Sequence, residues 1–282
     1  MQRQAHQSKF RQKRKTFDKN TSLVETLYGD DYSIDEIKKE RECIEYAYNI
    51  GLGPKPINMD LNNKRLVEQF FTADAIIPPN WTVAKSIIEN QALPALGVLL
   101  SSSIITIDCA KNYNSKLITK IEKFFNSYPT SIDFKHSVYV KECINKMSEV
   151  YDFVPIGMSH GDLKFDHVFQ VGNSTKFIDW DSLSKRSIYF DYFNLIGPWL
   201  LHHKITGDIR EDILGHLDYI TKYAKRQDNL SIVNTESIII YLVIFLFERI
   251  CRVIDGNSPI GIKHKSINRQ IKANQMLALM FV

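Results

Sequence analysis

The sequence lacks a glycine-rich loop near its beginning, and its cysteines are few. Gly29 is the only glycine among the first fifty residues, so this stretch has no run of backbone amides that could cradle a phosphate chain. The four cysteines are spaced too widely for a zinc-type pair. Because no signal peptide is recognisable at the start, we expect reduced thiols in a cytoplasmic protein.

A membrane-spanning run is also missing. The most apolar stretch covers residues 238–247 and is bounded by Glu236 and Glu248. It is much shorter than the roughly 20 residues that a helix needs to cross a bilayer. We therefore predict a buried helix here and no transmembrane segment. With 282 residues, 44% of them hydrophobic, the chain can bury a core without disulfides or a structural metal.

Positive charge is concentrated at the beginning of the chain. Residues 1–19 contain seven lysines and arginines against one acid, Asp18, which gives this arm about +6 although the whole chain carries +4. Such a basic arm can touch an anionic surface such as a nucleic acid or a membrane. A solvated tail or an exposed strand is the simpler explanation of the pattern. A third interpretation is that the arm neutralises phosphates inside a nucleotide site.

The first part of the chain predicts a helix followed by a hairpin. Residues 33–50 have an amphipathic helical pattern. The apolar stripe of this helix consists of Ile37, Cys43, Ile44, Ala47 and Tyr48. The glycines and prolines of residues 51–56 end it. Two strand-like pieces follow, at 56–59 and 65–71, with a turn-forming segment between them.

From about residue 78 the pattern is mainly helical. The predicted helices lie near residues 81–99, 114–126, 138–150, 208–226, 235–254 and 266–280. One interruption is a β-hairpin, with strands at 168–171 and 176–178 and a turn at Gly172. The pattern therefore predicts an α+β chain, with a small mixed lobe followed by a large helical lobe that carries one inserted hairpin.

The inserted hairpin carries most of the chemistry in the sequence. Asp162 precedes its first strand, His167 opens that strand, and Asp179 and Asp181 follow the second one. Because a hairpin brings its two ends together, we expect these side chains around one small volume. Crowded carboxylates repel each other unless a cation lies between them, and Mg²⁺ carried with nucleotide phosphates is the usual one. One aspartate can then deprotonate an attacking hydroxyl while a second holds the metal.

At these residues the sequence resembles the aminoglycoside phosphotransferase and choline kinase superfamily, which has the protein-kinase-like fold. The family pattern is His-x-Asp and, after four further residues, Asn, then a hairpin and Ile-Asp-Trp-Glu/Asp. The matching residues are His160, Asp162, Ile178, Asp179, Trp180 and Asp181. Residues 189–195 resemble a later element of the family, with Asp191 at its aspartate position.

The resemblance implies a two-lobed fold, with a reduced nucleotide-binding lobe over residues 1–74 and a helical catalytic and acceptor lobe over 75–282. It implies a kinase that uses ATP and Mg²⁺ to move the γ-phosphoryl group to a hydroxyl of a small molecule, such as a sugar or an amino alcohol. The catalytic pair implied is Asp162, as the base, and His160. Asp179 takes the place of the main magnesium ligand, Asp181 that of an accessory acid and Asp191 that of a structural brace.

The resemblance extends upstream into the first lobe. Glu40 lies at the position of the glutamate that pairs with the phosphate-binding lysine. A later stretch resembles the hinge whose backbone groups meet adenine, and its residues are Glu68, Gln69 and Phe70. The lysine itself must come from the basic arm. Lys9 and Lys13 both have suitable strand spacing, and the pattern does not choose between them; Lys13 is the candidate that we carry forward.

His167 departs from the family pattern, which has asparagine at this position. Asparagine offers a neutral oxygen to a second magnesium ion, whereas histidine offers a nitrogen that suits softer metals. We therefore count His167 among the metal ligands, with Mn²⁺ as an alternative to Mg²⁺. The ring could instead hydrogen-bond the catalytic aspartate, or only brace the loop.

Two further functions stay open at this point. The missing glycine loop and His167 are compatible with a pseudokinase, a binding or scaffold protein on the same fold. A metal-dependent hydrolase could instead gather His160, Asp162, His167 and Asp179 around a dinuclear cluster.

Overall fold

The structure is a computed structural model that describes residues 13–18, 20–71, 77–109, 153–202 and 209–225, together with the single positions 119 and 123. Four predicted helices lie wholly or almost wholly outside these residues, namely those near 114–126, 138–150, 235–254 and 266–280. The proposed lobe boundary between residues 74 and 75 also lies outside them. Within the described part of the chain, no helix is long and apolar enough to cross a membrane.

The first lobe contains a four-stranded antiparallel sheet. Its strands are β1 (Lys13–Asp18), β2 (Leu23–Tyr28), β3 (Pro56–Asp60) and β4 (Arg65–Gln69), in the order β1-β2-β4-β3. The hairpin of β3 and β4 was predicted. Two more strands, which were not predicted, lie before Glu40 and pair so that Lys13 lies opposite Tyr28. Because backbone hydrogen bonds to β2 hold β1, this strand needs little apolar sequence of its own.

One helix, α1 (Ile34–Asn49), packs on this sheet and confirms the helix predicted over 33–50. Ser33 and Glu36 form a capping box at its start, in which each side chain accepts the other's backbone N–H. Four residues of the predicted stripe are buried, whereas Tyr48 is 43% exposed. The chain leaves the helix through Gly51, whose φ of +79° lies in the left-handed region that favours glycine.

The described helices of the second lobe confirm two predictions and add a third helix. They are α2 (Trp81–Ile87), a π-helical turn (Ile88–Ala92), α3 (Leu93–Ser101), α4 (Phe190–His202) and α5 (Ile209–Lys225). The helix predicted over 81–99 is interrupted by the π turn just before Pro94, a residue that cannot donate the usual helical N–H. Helix α4 was missed because almost every residue in it is buried, which leaves no amphipathic period to detect.

The second lobe also contains two small sheets. The predicted hairpin is confirmed as β7 (Val168–Val171) and β8 (Ser174–Phe177). A three-stranded sheet was not predicted; its strands are β5 (Thr106–Cys109), β6 (Phe153–Ser159) and β9 (Ser184–Ser187), in the order β5-β6-β9. Because β6 ends where the His160 loop begins, this sheet fixes the starting point of that loop.

Contacts between the end of α1 and the hairpin join the two lobes. The backbone N–H of Phe177 donates to the carbonyl oxygen of Leu52 at 2.7 Å. Helix α1 also packs against the short 3₁₀ turn Trp180–Ser182, which follows Asp179. As a result, the helix that carries Glu40 lies beside the end of the hairpin that carries Asp179.

Candidate active site

The loop after β6 holds the His160 to Asp162 motif in a fixed conformation. Gly161, in its centre, has a φ of +88°, which favours glycine over every other residue. A Cβ atom at this position would lie 2.3 Å from the carbonyl oxygen of Ser182. The loop can therefore approach the turn after Asp179 only because it has no side chain here.

Asp191, at the start of α4, braces this loop from below. Its buried carboxylate accepts hydrogen bonds from the Ser159 hydroxyl at 2.9 Å, the His160 backbone N–H at 2.7 Å and the Gly161 backbone N–H at 2.8 Å. One turn further on, Asn194 donates its side-chain amide to the Gly161 carbonyl at 3.1 Å. These contacts are the structural brace that the resemblance implied for Asp191.

His160 lies entirely in the core. Its Nε2 atom is 2.8 Å from the carbonyl oxygen of Ile178, and its ring packs on Trp180 with 4.6 Å between ring centroids. Burial lowers the pKa of His160, which keeps the ring neutral. Its ring therefore ties the loop to the residue before Asp179, and the side chain is fully buried.

Asp162 is the acid of this loop that stays accessible. Its side chain is 32% exposed, and its Oδ2 atom accepts a hydrogen bond from Lys164 Nζ at 2.6 Å. Lys164 is itself partly exposed. A carboxylate that is oriented by a lysine and open to solvent can meet a hydroxyl group from outside the protein.

Asp179 lies at the far end of the hairpin in a strained backbone conformation. Its φ of +67° is unusual for a residue other than glycine, and such strain is often found at functional sites. Lys15 Nζ donates to its Oδ1 atom at 2.6 Å. Burial by itself would raise the pKa of Asp179, but the charges of Lys15, His167 and Lys13 outweigh it and hold the pKa well below its usual range.

Asp162, His167 and Asp179 form a group that could hold a metal ion. Each offers one ligand atom, and these atoms lie within 4.8 Å of one another. His167 Nε2 lies 3.9 Å from Asp179 Oδ2, and its other ring nitrogen, Nδ1, is buried with no hydrogen-bond partner among the described residues. One imidazole close to two carboxylates is a donor set that fits a divalent cation accepting nitrogen and oxygen ligands. Asp181, which the resemblance places at the metal as an accessory acid, lies outside this group of the described residues.

Asp181 instead helps to hold Lys13. The Lys13 ammonium lies 2.8 Å from a Glu40 carboxylate oxygen and 3.0 Å from an Asp181 oxygen, and it also lies 5.7 Å from the centre of the Tyr28 ring. Burial alone would lower the pKa of Lys13, but the two carboxylates raise it above its usual range. The expected pairing of Lys13 with Glu40 is thus present in the structure.

The three hinge candidates face in different ways. The backbone N–H groups of Gln69 and Phe70 donate to the carbonyls of Lys55 and Ser22, at 2.9 and 2.7 Å, so neighbouring strands already occupy them. Glu68 lies one residue earlier, and its side chain is near the charged groups of the site. Burial raises the pKa of Glu68 from 4.5 to about 7, with Glu40 and Asp179 adding to the rise and the nearby lysines opposing it.

Two lysines at the site were missed by sequence reasoning. Lys15 lies two residues beyond Lys13, and this alternating spacing was the signal that could have placed both ammonium groups on one face of a strand. Lys164 follows Asp162 by two residues within the motif itself. The described part of the basic arm is strand β1, and two lysines of this strand contact the acidic residues of the site.

The raised pKa of Glu68 gives the first testable prediction. The folded protein keeps a proton on Glu68 up to about pH 7, whereas the unfolded chain releases it above about pH 4.5, so this group makes wild-type stability fall as pH rises between these values. Glu68→Gln removes that loss. The stability advantage of the variant over the wild type should therefore grow by about 2 kcal/mol between pH 5 and pH 8.

Urea unfolding at the two pH values measures this advantage. Glu42→Gln is the matched control, because Glu42 is an exposed acid of α1. The control should show no growth in its advantage over this range. Equal pH dependence in Glu68→Gln and the wild type would contradict the prediction.

Comparison with known proteins rests on structure alone. No protein-family model and no curated protein matches the sequence. A choline/ethanolamine kinase family protein from Mesorhizobium loti matches with a TM-score of 0.63 at 10% identity, covering 100% of this chain and 88% of that one. An aminoglycoside phosphotransferase from Alicyclobacillus acidocaldarius matches with a TM-score of 0.58 at 10% identity, covering 99% and 91%.

The choline kinase LicA from Streptococcus pneumoniae is similar as well, with a TM-score of 0.54 at 15% identity, covering 95% of this chain and 89% of that one. LicA is also among the matches in complex with AMP. The chain therefore has the protein-kinase-like fold. The fold that the resemblance implied is thus confirmed.

Proposed function

We propose that the protein is an ATP-dependent phosphotransferase that moves the γ-phosphoryl group of ATP to a hydroxyl of a small molecule, such as a sugar or an amino alcohol. The observation that carries the proposal is the placement of Lys13. Its ammonium joins Glu40 of one lobe to Asp181 of the other, next to the Asp162, His167 and Asp179 group. A lysine–glutamate pair facing an acidic, metal-capable site is the set of charges that phosphoryl transfer uses.

Asp162 is the base in this proposal. It accepts the proton of the acceptor hydroxyl while that oxygen attacks the γ-phosphorus and ADP leaves, and Lys164 holds its carboxylate in position. His160 has a positioning role in this proposal instead of the catalytic one implied by the resemblance, because its buried ring joins the Ile178 carbonyl to the backbone N–H of Asp162.

Asp179 and His167 are the residues that would hold the divalent ion, and Asp162 lies close enough to be a third ligand. Mg²⁺ or Mn²⁺, when bound, neutralises the phosphate charge. The nitrogen of His167 makes Mn²⁺ a reasonable second choice. Asp181 serves in this scheme as an anchor for Lys13, not as a metal ligand.

The small-molecule acceptor is an inference from similar folds. The matched proteins include a choline kinase, an ethanolamine kinase and an aminoglycoside phosphotransferase, so proteins named for three kinds of acceptor share this fold. The test is therefore ADP release by the purified full chain with ATP, Mg²⁺ or Mn²⁺, and a panel of amino alcohols, sugars and aminoglycosides. Acceptor-dependent ADP release supports the proposal, and its absence across the panel contradicts it.

Nucleotide binding can be tested separately through Lys13. Lys13→Met should weaken ATP binding by about tenfold or more, since it removes a charge-assisted contact to the phosphates. The measurement is the thermal shift that ATP with Mg²⁺ causes in the variant and in the wild type, because a ligand that binds only the folded state stabilises it by mass action. Each shift is taken relative to the same protein without nucleotide.

Lys38→Met is the control for this experiment, since Lys38 is an exposed lysine of α1. It should keep the full ATP-dependent shift. An unchanged shift in Lys13→Met would show that Lys13 does not contact the nucleotide.

A pseudokinase is the second candidate, and one contact favours it. Lys15 occupies one oxygen of Asp179, the residue proposed to hold the metal. A thermal shift with nucleotide but no ADP release with any acceptor would support this second function. The hydrolase hypothesis loses a ligand, because the buried ring of His160 lies outside the metal-capable group of the described residues.

A further inference from the structure

We infer that Lys15 is a built-in counter-ion of Asp179, which must leave this carboxylate when a divalent cation binds and which then contacts the phosphate chain. The inference rests on the proposed function, because it concerns the same metal and nucleotide. It goes further in assigning one lysine two alternative partners within the site.

The two lysines of β1 are held differently. Lys13 and Lys15 lie on the same face of the strand, since side chains alternate along it. Lys13 is clamped between two carboxylates and is 15% exposed. Among the described residues Lys15 forms an ion pair with one carboxylate, that of Asp179, and it is 25% exposed. Of the two ammonium groups, that of Lys15 is therefore the easier to release.

Asp179 has two oxygens with different neighbours. Lys15 Nζ lies 2.6 Å from Oδ1, while Oδ2 faces Nε2 of His167 at 3.9 Å. A divalent cation held by Asp179 and His167 would lie close to the Lys15 ammonium, and like charges at such a distance repel strongly in a half-buried site. Lysine can respond by rotating its flexible side chain, because its ammonium has no fixed hydrogen-bonding plane.

The released ammonium has acceptors nearby. Glu68 is close enough for Lys15 to affect its pKa, so its carboxyl group is one alternative partner, which is charged above about pH 7. The triphosphate of ATP is the stronger alternative partner, because it carries more negative charge. Residues 1–28 contain no glycine, so no glycine-rich loop in this stretch would bind that charge. Lys15 thus binds phosphate oxygens that backbone amides would bind in a glycine-rich loop.

The exchange predicts opposite effects of one substitution on two ligands. Lys15→Met should bind Mn²⁺ about tenfold more tightly than the wild type in the absence of nucleotide, because a competing cation is gone. The same variant should bind ATP about tenfold more weakly at saturating Mn²⁺, because a phosphate contact is lost. Mn²⁺ binding is read from the electron paramagnetic resonance signal of the free ion, and ATP binding from titration calorimetry.

Two variants serve as controls. Arg14→Met removes a positive charge from the same strand, but Arg14 is exposed and lies on the opposite face, so both affinities should stay within about twofold of the wild type. Lys15→Arg keeps the positive charge, so its Mn²⁺ affinity should be as low as that of the wild type. Unchanged or weaker Mn²⁺ binding by Lys15→Met would overturn the inference.

A measurement on the wild-type chain covers the case in which Lys15→Met does not fold. Acylation of Lys15, followed by mass spectrometry, should speed up when Mn²⁺ alone is added, and it should slow down again when ATP follows. No change on adding Mn²⁺ would overturn the inference.

These results separate the inference from the proposed function. If Lys15→Met shifts Mn²⁺ affinity but no acceptor is phosphorylated, the counter-ion role stands and the kinase proposal fails. If the protein phosphorylates an acceptor and Lys15→Met leaves Mn²⁺ affinity unchanged, only the counter-ion role fails.

Discussion

Replacing Asp162 by asparagine should lower kcat for phosphoryl transfer by roughly 10²–10⁴-fold, the range observed when a positioned general base is removed. Asparagine has nearly the same size, but it cannot accept the proton of the acceptor hydroxyl. The side chain is partly exposed and its charged partner is Lys164, so the change should not disturb the core. The measurement is acceptor-dependent ADP release under saturating ATP.

Asp166→Asn is the matched control for this loss. Asp166 lies in the same loop and its side chain is 55% exposed. The control should retain kcat within a few-fold of the wild type, and both variants should keep the thermal shift with ATP. Undiminished turnover in Asp162→Asn would remove Asp162 from the role of base, even if the protein proved to be a kinase.

Replacing Asp191 by alanine should lower the free energy of unfolding by about 3–5 kcal/mol. The carboxylate accepts three hydrogen bonds from Ser159, His160 and Gly161, and its removal leaves all three donors buried without a partner. Water cannot easily replace the carboxylate, since Asp191 is only 3% exposed. Urea unfolding measures the loss, and ADP release should disappear with it because the loop that carries Asp162 is no longer held.

Asp191→Asn tests whether the acceptor atoms or the bulk of the side chain matter. The amide keeps one acceptor oxygen, so its destabilisation should lie between those of alanine and the wild type. Asp218→Ala is a control on α5, where the carboxylate is exposed and pairs only with Lys222 one turn away. That substitution should change stability little. A loss in Asp191→Ala no larger than in this control would contradict the bracing role.

The chemistry of the hairpin could be predicted because its geometry is local. Asp162 and Asp179 lie on either side of two short strands joined at Gly172, whose φ of +58° suits the turn. Once the strands pair, as Val168 does with Phe177, the two acids lie close to each other in space. Helix α1 was predictable for a similar reason, since its cap and its apolar stripe lie within one turn or a few turns of each other.

Other features were beyond local patterns. The strands of the β5-β6-β9 sheet are far apart in the chain, and β5 and β9, with four residues each, leave little periodic signal. The role of His160 was not visible either, because only the packed structure shows that its ring is enclosed by Trp180 and bonded to Ile178. Likewise, only the structure places Asp162 in the group that could hold a metal ion and Asp181 outside it.

The sequence by itself determined the position of the acidic hairpin, the capped helix and the excess of positive charge at the beginning of the chain. Only the tertiary structure decided which lysines meet which acids. Lys13 and Asp181 are 168 positions apart, and Lys15 and Asp179 are 164 apart. Pairs this distant are fixed by how the sheet of the first lobe packs over the hairpin of the second. Because that packing depends on the whole core, no short stretch of sequence encodes it.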